Sequence, residues 1–194
     1  MARAIDTSKI ERIKEVTMQM VVYKGYGNAS VSEIAKKAGV AEGYLYRYYK
    51  SKSELVEDLL YQNMNELADK LEGLLNDNHS IGEIFEHLIR TLFTIANNSP
   101  ERIKFLYVLM NDYNFRIKEH QRQRIFDLCK RIKEKGLVAG DVRQDIDEEE
   151  IYLIAVTYPI QFINLRLKAF FNHSELGTPE IDKVIRICRN LIKG

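Results

Sequence analysis

The 194-residue chain has no tryptophan, three prolines, two cysteines and ten glycines, and its formal charge balance is only +1. Cys129 and Cys188 are too few for a disulfide framework and lack the paired spacing of a zinc site; each falls in an apolar helical pattern, so buried free thiols in a reducing compartment are expected. With prolines at positions 100, 159 and 179 alone, a proline-rich or fibrous segment is excluded. No stretch approaches the roughly 18 uninterrupted apolar residues of a membrane span, and Met1 to Lys9 carry no apolar signal core, which predicts a soluble, cytoplasmic protein with no membrane partner. Taken whole, the near-zero charge indicates no polyanionic partner. The histidines at 79, 87, 120 and 173 show no paired-ligand spacing, and phosphate-loop, dinucleotide and nucleophile-elbow sequences are all lacking. The acidic run Asp145 to Glu150 lacks the sixth-position glycine of a calcium loop and reads as a charged helix start. The expectation is therefore no enzyme, no cofactor and no metal.

What the sequence does have is helical period. Ile10, Ile13, Val16, Met20 and Tyr23 predict one face of a helix ending at Gly25 and Gly27. The period returns in Leu55, Leu59 and Met64, in Ile117, Gln121, Ile125, Leu128 and Ile132, and in Ile181, Val184, Cys188 and Leu191. Starts are marked by capping boxes at Ser8/Glu11, Ser30/Glu33, Ser51/Glu54 and Ser80/Glu83, and by Ser99-Pro100 and Thr178-Pro179, where proline takes the first helical position. Breaks fall at 76–79, 97–99, 136–140 and 172–177. An all-α chain of about nine helices follows. A three-helix head over residues 1–52 and a larger helical body over 53–194 are expected, the boundary falling in the helix that begins at Lys52.

Residues 30 to 52 carry the functional signal. Val31–Ala38 and Glu42–Tyr49 predict two helices of about eight residues, each too short to persist alone, joined through Gly39 and Val40 as a helix-turn-helix. Ile34, Ala35, Val40, Leu45 and Tyr49 supply its apolar side, closed by Ile13, Val16 and Met20. Glu42, Gly43, Tyr44, Tyr46, Arg47 and Tyr48 then face outward, Tyr48 reading equally well as core, and such a helix lies in the DNA major groove. Arg47 has the fork for guanine, tyrosine hydroxyls bind phosphate or base edges, and Lys50 and Lys52 stand at the next helix's N-terminus, where phosphate is favoured. Ser30 and Ser32 complete the candidate DNA-binding set. The charge also divides: residues 1–52 hold ten basic and five acidic side chains, net +5, whereas 53–194 are net −4, so the basic end is the one suited to DNA.

From Ile10 to about Leu60 the chain resembles the TetR family of bacterial transcriptional regulators, on the order G-x-x-x-x-S-V-x-E-I-A-x-x-A-G-V-x-x-G-x-L-Y-x-Y-Y-K-S-K-x-E-L over 25–55. Residues 135–150, KGLVAGDVRQDIDEEE, resemble the loop these proteins place before their first dimerisation helix. The resemblance implies phosphate contacts from Ser30, Tyr46 and Lys52, and base or backbone contacts from Gly43, Tyr44, Arg47 and Tyr48. Two positions depart from the pattern: Glu42 stands where a basic or neutral residue is usual, and Ala41 replaces a Ser/Thr cap. For the body the resemblance implies a helical domain that dimerises and often holds a small-molecule effector.

The helix over about 147–171 is apolar nearly all round; with the last helix, 179–192, it is the expected half of a homodimer interface, kinked at Pro159. Polar residues in apolar helical context are the ligand-pocket candidates: His87, Thr91, Tyr107, Asn111, Tyr113, Tyr158, Gln161 and Asn164, although for each a satisfied core hydrogen bond is the favoured reading. The function expected is a homodimeric, ligand-responsive repressor on a palindromic operator. The alternatives are an effector-independent architectural or cell-division factor on the same fold, and an all-α interaction module or enzyme with a vestigial helix-turn-helix.

Overall fold

A computed structural model describes residues 7–77 and 79–193. The chain order is α1 (Thr7–Lys24), α2 (Val31–Ala38), α3 (Glu42–Leu45), α4 (Lys52–Asn76), α5 (Ile81–Asn98), α6 (Pro100–Met110), α7 (Glu119–Ala139), α8 (Glu148–Tyr152), a π-helical turn (Leu153–Thr157), α9 (Tyr158–Leu167) and α10 (Thr178–Lys193). Because α8, the π turn and α9 are continuous, the described residues form nine helical rods and no strand, as the periodicity required.

Capping chemistry explains most starts. Ser80 and Glu83 close a reciprocal capping box on α5, and Asp147 and Glu150 close another on α8. Ser30 and Ser51 each accept from the amide three residues on, while Glu33 accepts from Lys24 and from the Ser30 hydroxyl, and Glu54 from the Lys50 amide. Two expectations need correcting. Ser8 lies inside α1, which is already under way at Thr7, so Ser8/Glu11 is no cap; the residues before Thr7 are outside those described. Pro179 is the second residue of α10, whose cap is Gly177, its amide donating to Glu180. Asn78, in the expected 76–79 break, also lies outside the described residues.

Packing clusters the chain into two compact units that divide inside α4, after Asn63. Of the described residues, one unit holds those from Thr7 to Asn63 together with Lys104–Arg116, and the other holds those from Met64 to Ile103 and from Ile117 to Lys193. In the first, α1 buries Ile13, Thr17, Met20 and Val21, a four-and-three spacing. The face expected from the sequence had drifted: Tyr23 is 72% exposed, and Thr17 takes the buried position by donating to the Ile13 carbonyl at 2.7 Å. Phe105, Leu109 and Phe115 bury in this unit although they lie far along the chain.

In the second unit α5 is the hub, burying nine residues from Ile81 to Ala96 and packing on α7, α9, α10 and the π turn. The half of α4 in this unit is tied to α7 by polar bonds. The Arg124 guanidinium reaches Asn65 and Asp69 at 2.6 Å and Glu72 at 3.0 Å, and the Lys135 ammonium caps the carbonyls of Leu75 at 3.3 Å and Asp77 at 2.7 Å. Pro159 does not simply kink its helix. The Tyr158 amide bonds back to Leu153, five residues away, so the wide turn carries the chain past the residue that has no amide to give.

Candidate nucleic-acid interface

The head's two short helices are held in place by local chemistry. Gly39 ends α2 at φ +66°, and its amide, with that of Val40, returns to the Ala35 and Lys36 carbonyls, so the chain reverses where only glycine is unstrained. Ile34, Ala35, Ala38 and Leu45 bury, and α2 packs on α1 and α3. The Lys24–Glu33 pair at 2.6 Å joins the end of α1 to the start of α2; this hydrogen bond from Lys24, aided by Ser30, holds the exposed Glu33 carboxyl below the usual carboxylate range.

The second helix is shorter than expected. Regular α structure spans Glu42–Leu45, after which the amides of Tyr48 and Tyr49 share the Leu45 carbonyl at 3.0 Å, a tightened turn that redirects the tyrosines. Ala41, having no side-chain oxygen, leaves the helix start without a cap bond.

The expected site residues fall into three groups. Ser30, Ser32, Glu42, Gly43, Tyr46, Arg47 and Lys50 are exposed, Tyr46 at 51%, and a side chain at Gly43 would meet open space. Tyr44 and Tyr48 are half-buried and turned to each other, centroids 5.3 Å apart, with the Lys9 ammonium 5.9 Å from the Tyr44 ring. Tyr44 is therefore not the outward residue the sequence suggested. Lys52 differs most: its ammonium donates to the carbonyls of Tyr26 at 2.7 Å and Gly27 at 3.0 Å. Tyr49, expected in the core, is only half-buried, its hydroxyl donating to Asp58 at 3.0 Å; partial burial, then the Asp58 charge, push its phenol above the usual range.

The ligand-pocket candidates do not come together. Tyr107, Asn111 and Tyr113 belong to the first compact unit; Tyr113 is 100% exposed and Asn111 donates to the Tyr107 carbonyl four residues back. In the second unit Gln161 is exposed, Asn164 is buried, and Tyr158 packs its half-buried ring 6.5 Å from Phe162. Only His87 and Thr91 line a described recess. It is a cleft of about 280 Å³ between α4 and α5, walled by Leu67, Leu71, Leu74 and Leu88 with Lys70 and Asp77. A second recess of about 330 Å³ shares Lys70, His87 and Thr91 and adds Glu66, Arg90 and Arg102. Sequence reasoning passed over this leucine row because it reads as ordinary core; the signal available was its apolar repeat on a helix otherwise rich in polar residues. Among the described residues no cluster of His, Cys, Asp and Glu could hold a metal ion, and no helix is long and apolar enough to cross a membrane.

A helix-turn-helix with an exposed cationic and aromatic edge, joined to a helical body, defines a DNA-binding transcriptional regulator. Residues 13–59 match the family model of bacterial regulatory proteins, tetR family. The chain is 32% identical over 136 residues to the HTH-type transcriptional regulator YvkB of Bacillus subtilis, covering 66% of this chain and 69% of that protein. Its fold is that of a TetR family transcription regulator from Marinobacter aquaeolei VT8, at a TM-score of 0.78 and 20% identity over 96% of both chains. It also matches the transcriptional regulator FadR from Bacillus subtilis, solved in complex with stearoyl-CoA, at a TM-score of 0.70 and 17% identity over 94% of this chain and 99% of that one. The protein belongs to the TetR family of bacterial transcriptional regulators.

Proposed function

We propose that the protein is a homodimeric, effector-responsive repressor of a palindromic operator, working in the cytoplasm and performing no catalysis. The observation that carries the reading is the shared exposure of Gly43, Tyr46, Arg47 and Lys50 and of Ser30 and Ser32 at the start of α2, on a head whose α2 ends in the Gly39 turn. Arg47 reads a guanine edge, Tyr46 and Lys50 hold phosphate, and the Tyr44–Tyr48 pair backs them. Glu42, exposed in the first turn, accepts from a cytosine amine or turns to solvent. Two copies dimerise through the α8–α9 stretch and α10, where Leu153 and Leu191 are 46% and 49% exposed, and so present two heads about 34 Å apart to successive major grooves.

The effector seat in this reading is the α4–α5 cleft. Its leucine wall takes an apolar chain, while an anionic head would compete in the adjoining recess for Lys70, Arg90 and Arg102, which now pair with Glu66, Glu86 and Asp182, and FadR with stearoyl-CoA is a structural neighbour of that ligand chemistry. A ligand preferring a splayed dimer shifts the population away from the operator-spaced form.

Anisotropy titration of the protein against the promoter of its own or a neighbouring gene tests the reading. Binding should weaken steeply with salt, and Arg47→Ala should cost about 1–3 kcal/mol and relax preference at one base pair. Absence of salt-sensitive binding to every genomic fragment overturns it. Thermal-shift titration with acyl carboxylates and acyl thioesters of graded length tests the effector; no shift with any of them leaves the effector-independent regulator as the surviving reading.

A further inference from the structure

The α1–α2 connection, which contains Tyr26, is held by side chains from two distant stretches of the same compact unit, Lys52 and Phe115. The Lys52 ammonium, at the start of α4, donates to the Tyr26 and Gly27 carbonyls at 2.7 and 3.0 Å and lies 4.6 Å from the centroid of the Tyr26 ring. That ring meets Phe115 edge-on, centroids 5.2 Å apart and planes at 74°, and Phe115 is buried. An ammonium has three hydrogens. Here two are taken by carbonyls and the third faces a π-cloud, so the charge is spent inside the head. Three residues beyond Gly27 stands Ser30, whose hydroxyl caps α2.

We propose that Lys52 is an internal strut rather than a phosphate contact, and that Tyr26 and Phe115 are positioning residues which, with it, set the α1–α2 connection and hence the N-terminus of α2 against the operator. The proposal rests on the reading that this face of the head meets DNA. It departs from the phosphate role that the family resemblance implies for Lys52, and it gives Phe115, which no motif marks, a part in the head.

Salt dependence separates the two roles, because a true phosphate contact contributes about 0.9 to the slope of log K against log salt and a strut contributes nothing. Full-length Lys52→Met, Tyr26→Leu, Tyr26→Phe and Phe115→Leu are titrated against operator DNA across a salt series, with thermal melts confirming that each is folded and Lys50→Ala as the phosphate-contact control. Lys52→Met and Tyr26→Leu should weaken binding roughly five- to twentyfold with the wild-type slope, since cation–π and edge contacts of this kind are worth about 1–2 kcal/mol. Phe115→Leu should weaken it a few-fold, and Tyr26→Phe, which keeps the ring, should bind as wild type. A slope reduced by about 0.9 in Lys52→Met, or wild-type binding by Tyr26→Leu, overturns the strut. Amide hydrogen exchange over residues 27–33 without DNA gives an independent reading: faster exchange in Lys52→Met and Tyr26→Leu is expected, and unchanged exchange overturns the proposal. If wild type binds no DNA while exchange responds as expected, the functional reading fails and the strut stands.

Discussion

At the scale of single residues, environment divides chemically similar side chains into different roles. Tyr46 and Tyr49 are three positions apart, yet Tyr46 is 51% exposed while Tyr49 is half-buried and bonded to Asp58 of α4. The two cysteines show the same control by surroundings. Burial pushes the Cys129 thiol up to about 11, with the Glu148 charge adding to it, and the Cys188 thiol up to about 12. Cys188 also donates to the Ile154 carbonyl at 3.3 Å; in the five-residue register of the π turn that carbonyl would look to Pro159, which has no amide. Both thiols should therefore resist alkylation in the native protein at pH 8 and react fully in guanidinium, as measured by mass spectrometry. The sign of the pH dependence follows. Unfolded thiols ionise near 8.5 while the folded ones stay protonated, so their contribution is intact below about pH 8.5 and is lost as pH rises toward 11. Urea midpoints across that range should fall, and less so in a Cys129→Ala/Cys188→Ala double variant than in wild type.

At the scale of elements, close approach and broken register matter more than propensity. Gly136 lies inside α7, where alanine would ordinarily favour the helix by about 1 kcal/mol. A β-carbon there would stand 2.8 Å from Val142 Cβ and 3.1 Å from Ile81 Cγ1, so the helix can pack on α5 and on the chain after Gly140 only without one. Gly136→Ala should thus be net destabilising, by about 1–3 kcal/mol in chemical denaturation, and Val142→Ala should recover part of the loss. Most elements were legible from their ends, since a serine three residues before a glutamate is a local instruction. The length of α3 was not. The run Glu42–Tyr49 is compatible with a longer helix, and it is curtailed after Leu45 where Leu45 is buried and the Tyr49 hydroxyl reaches Asp58 of α4, a partner that no local rule encodes.

At the scale of the whole molecule, the proposed function joins the charge split and the exposed apolar side chains of the last helices in one scheme: a basic end for DNA and, as proposed above, a surface for a second copy. Leu153→Glu and Leu191→Glu should shift the sedimentation profile toward monomer and lower full-operator affinity by at least about tenfold while sparing the weak binding to a half-site, because the two heads then no longer act as one bivalent ligand. Dimeric sedimentation by both variants would place the interface elsewhere. The sequence by itself determined the all-α class, the helix-turn-helix with its glycine reversal, and the family, because these rest on periodicity, capping and turn chemistry that act within a few residues. Only the tertiary structure decided that Lys104–Arg116 joins the head's compact unit, that Lys52 turns inward to Tyr26, and that His87 and Thr91 alone among the pocket candidates line the α4–α5 cleft. Those outcomes follow from burial and hydrogen bonding between groups up to about ninety positions apart, such as Tyr26 and Phe115, whose meeting depends on the path of everything folded between them.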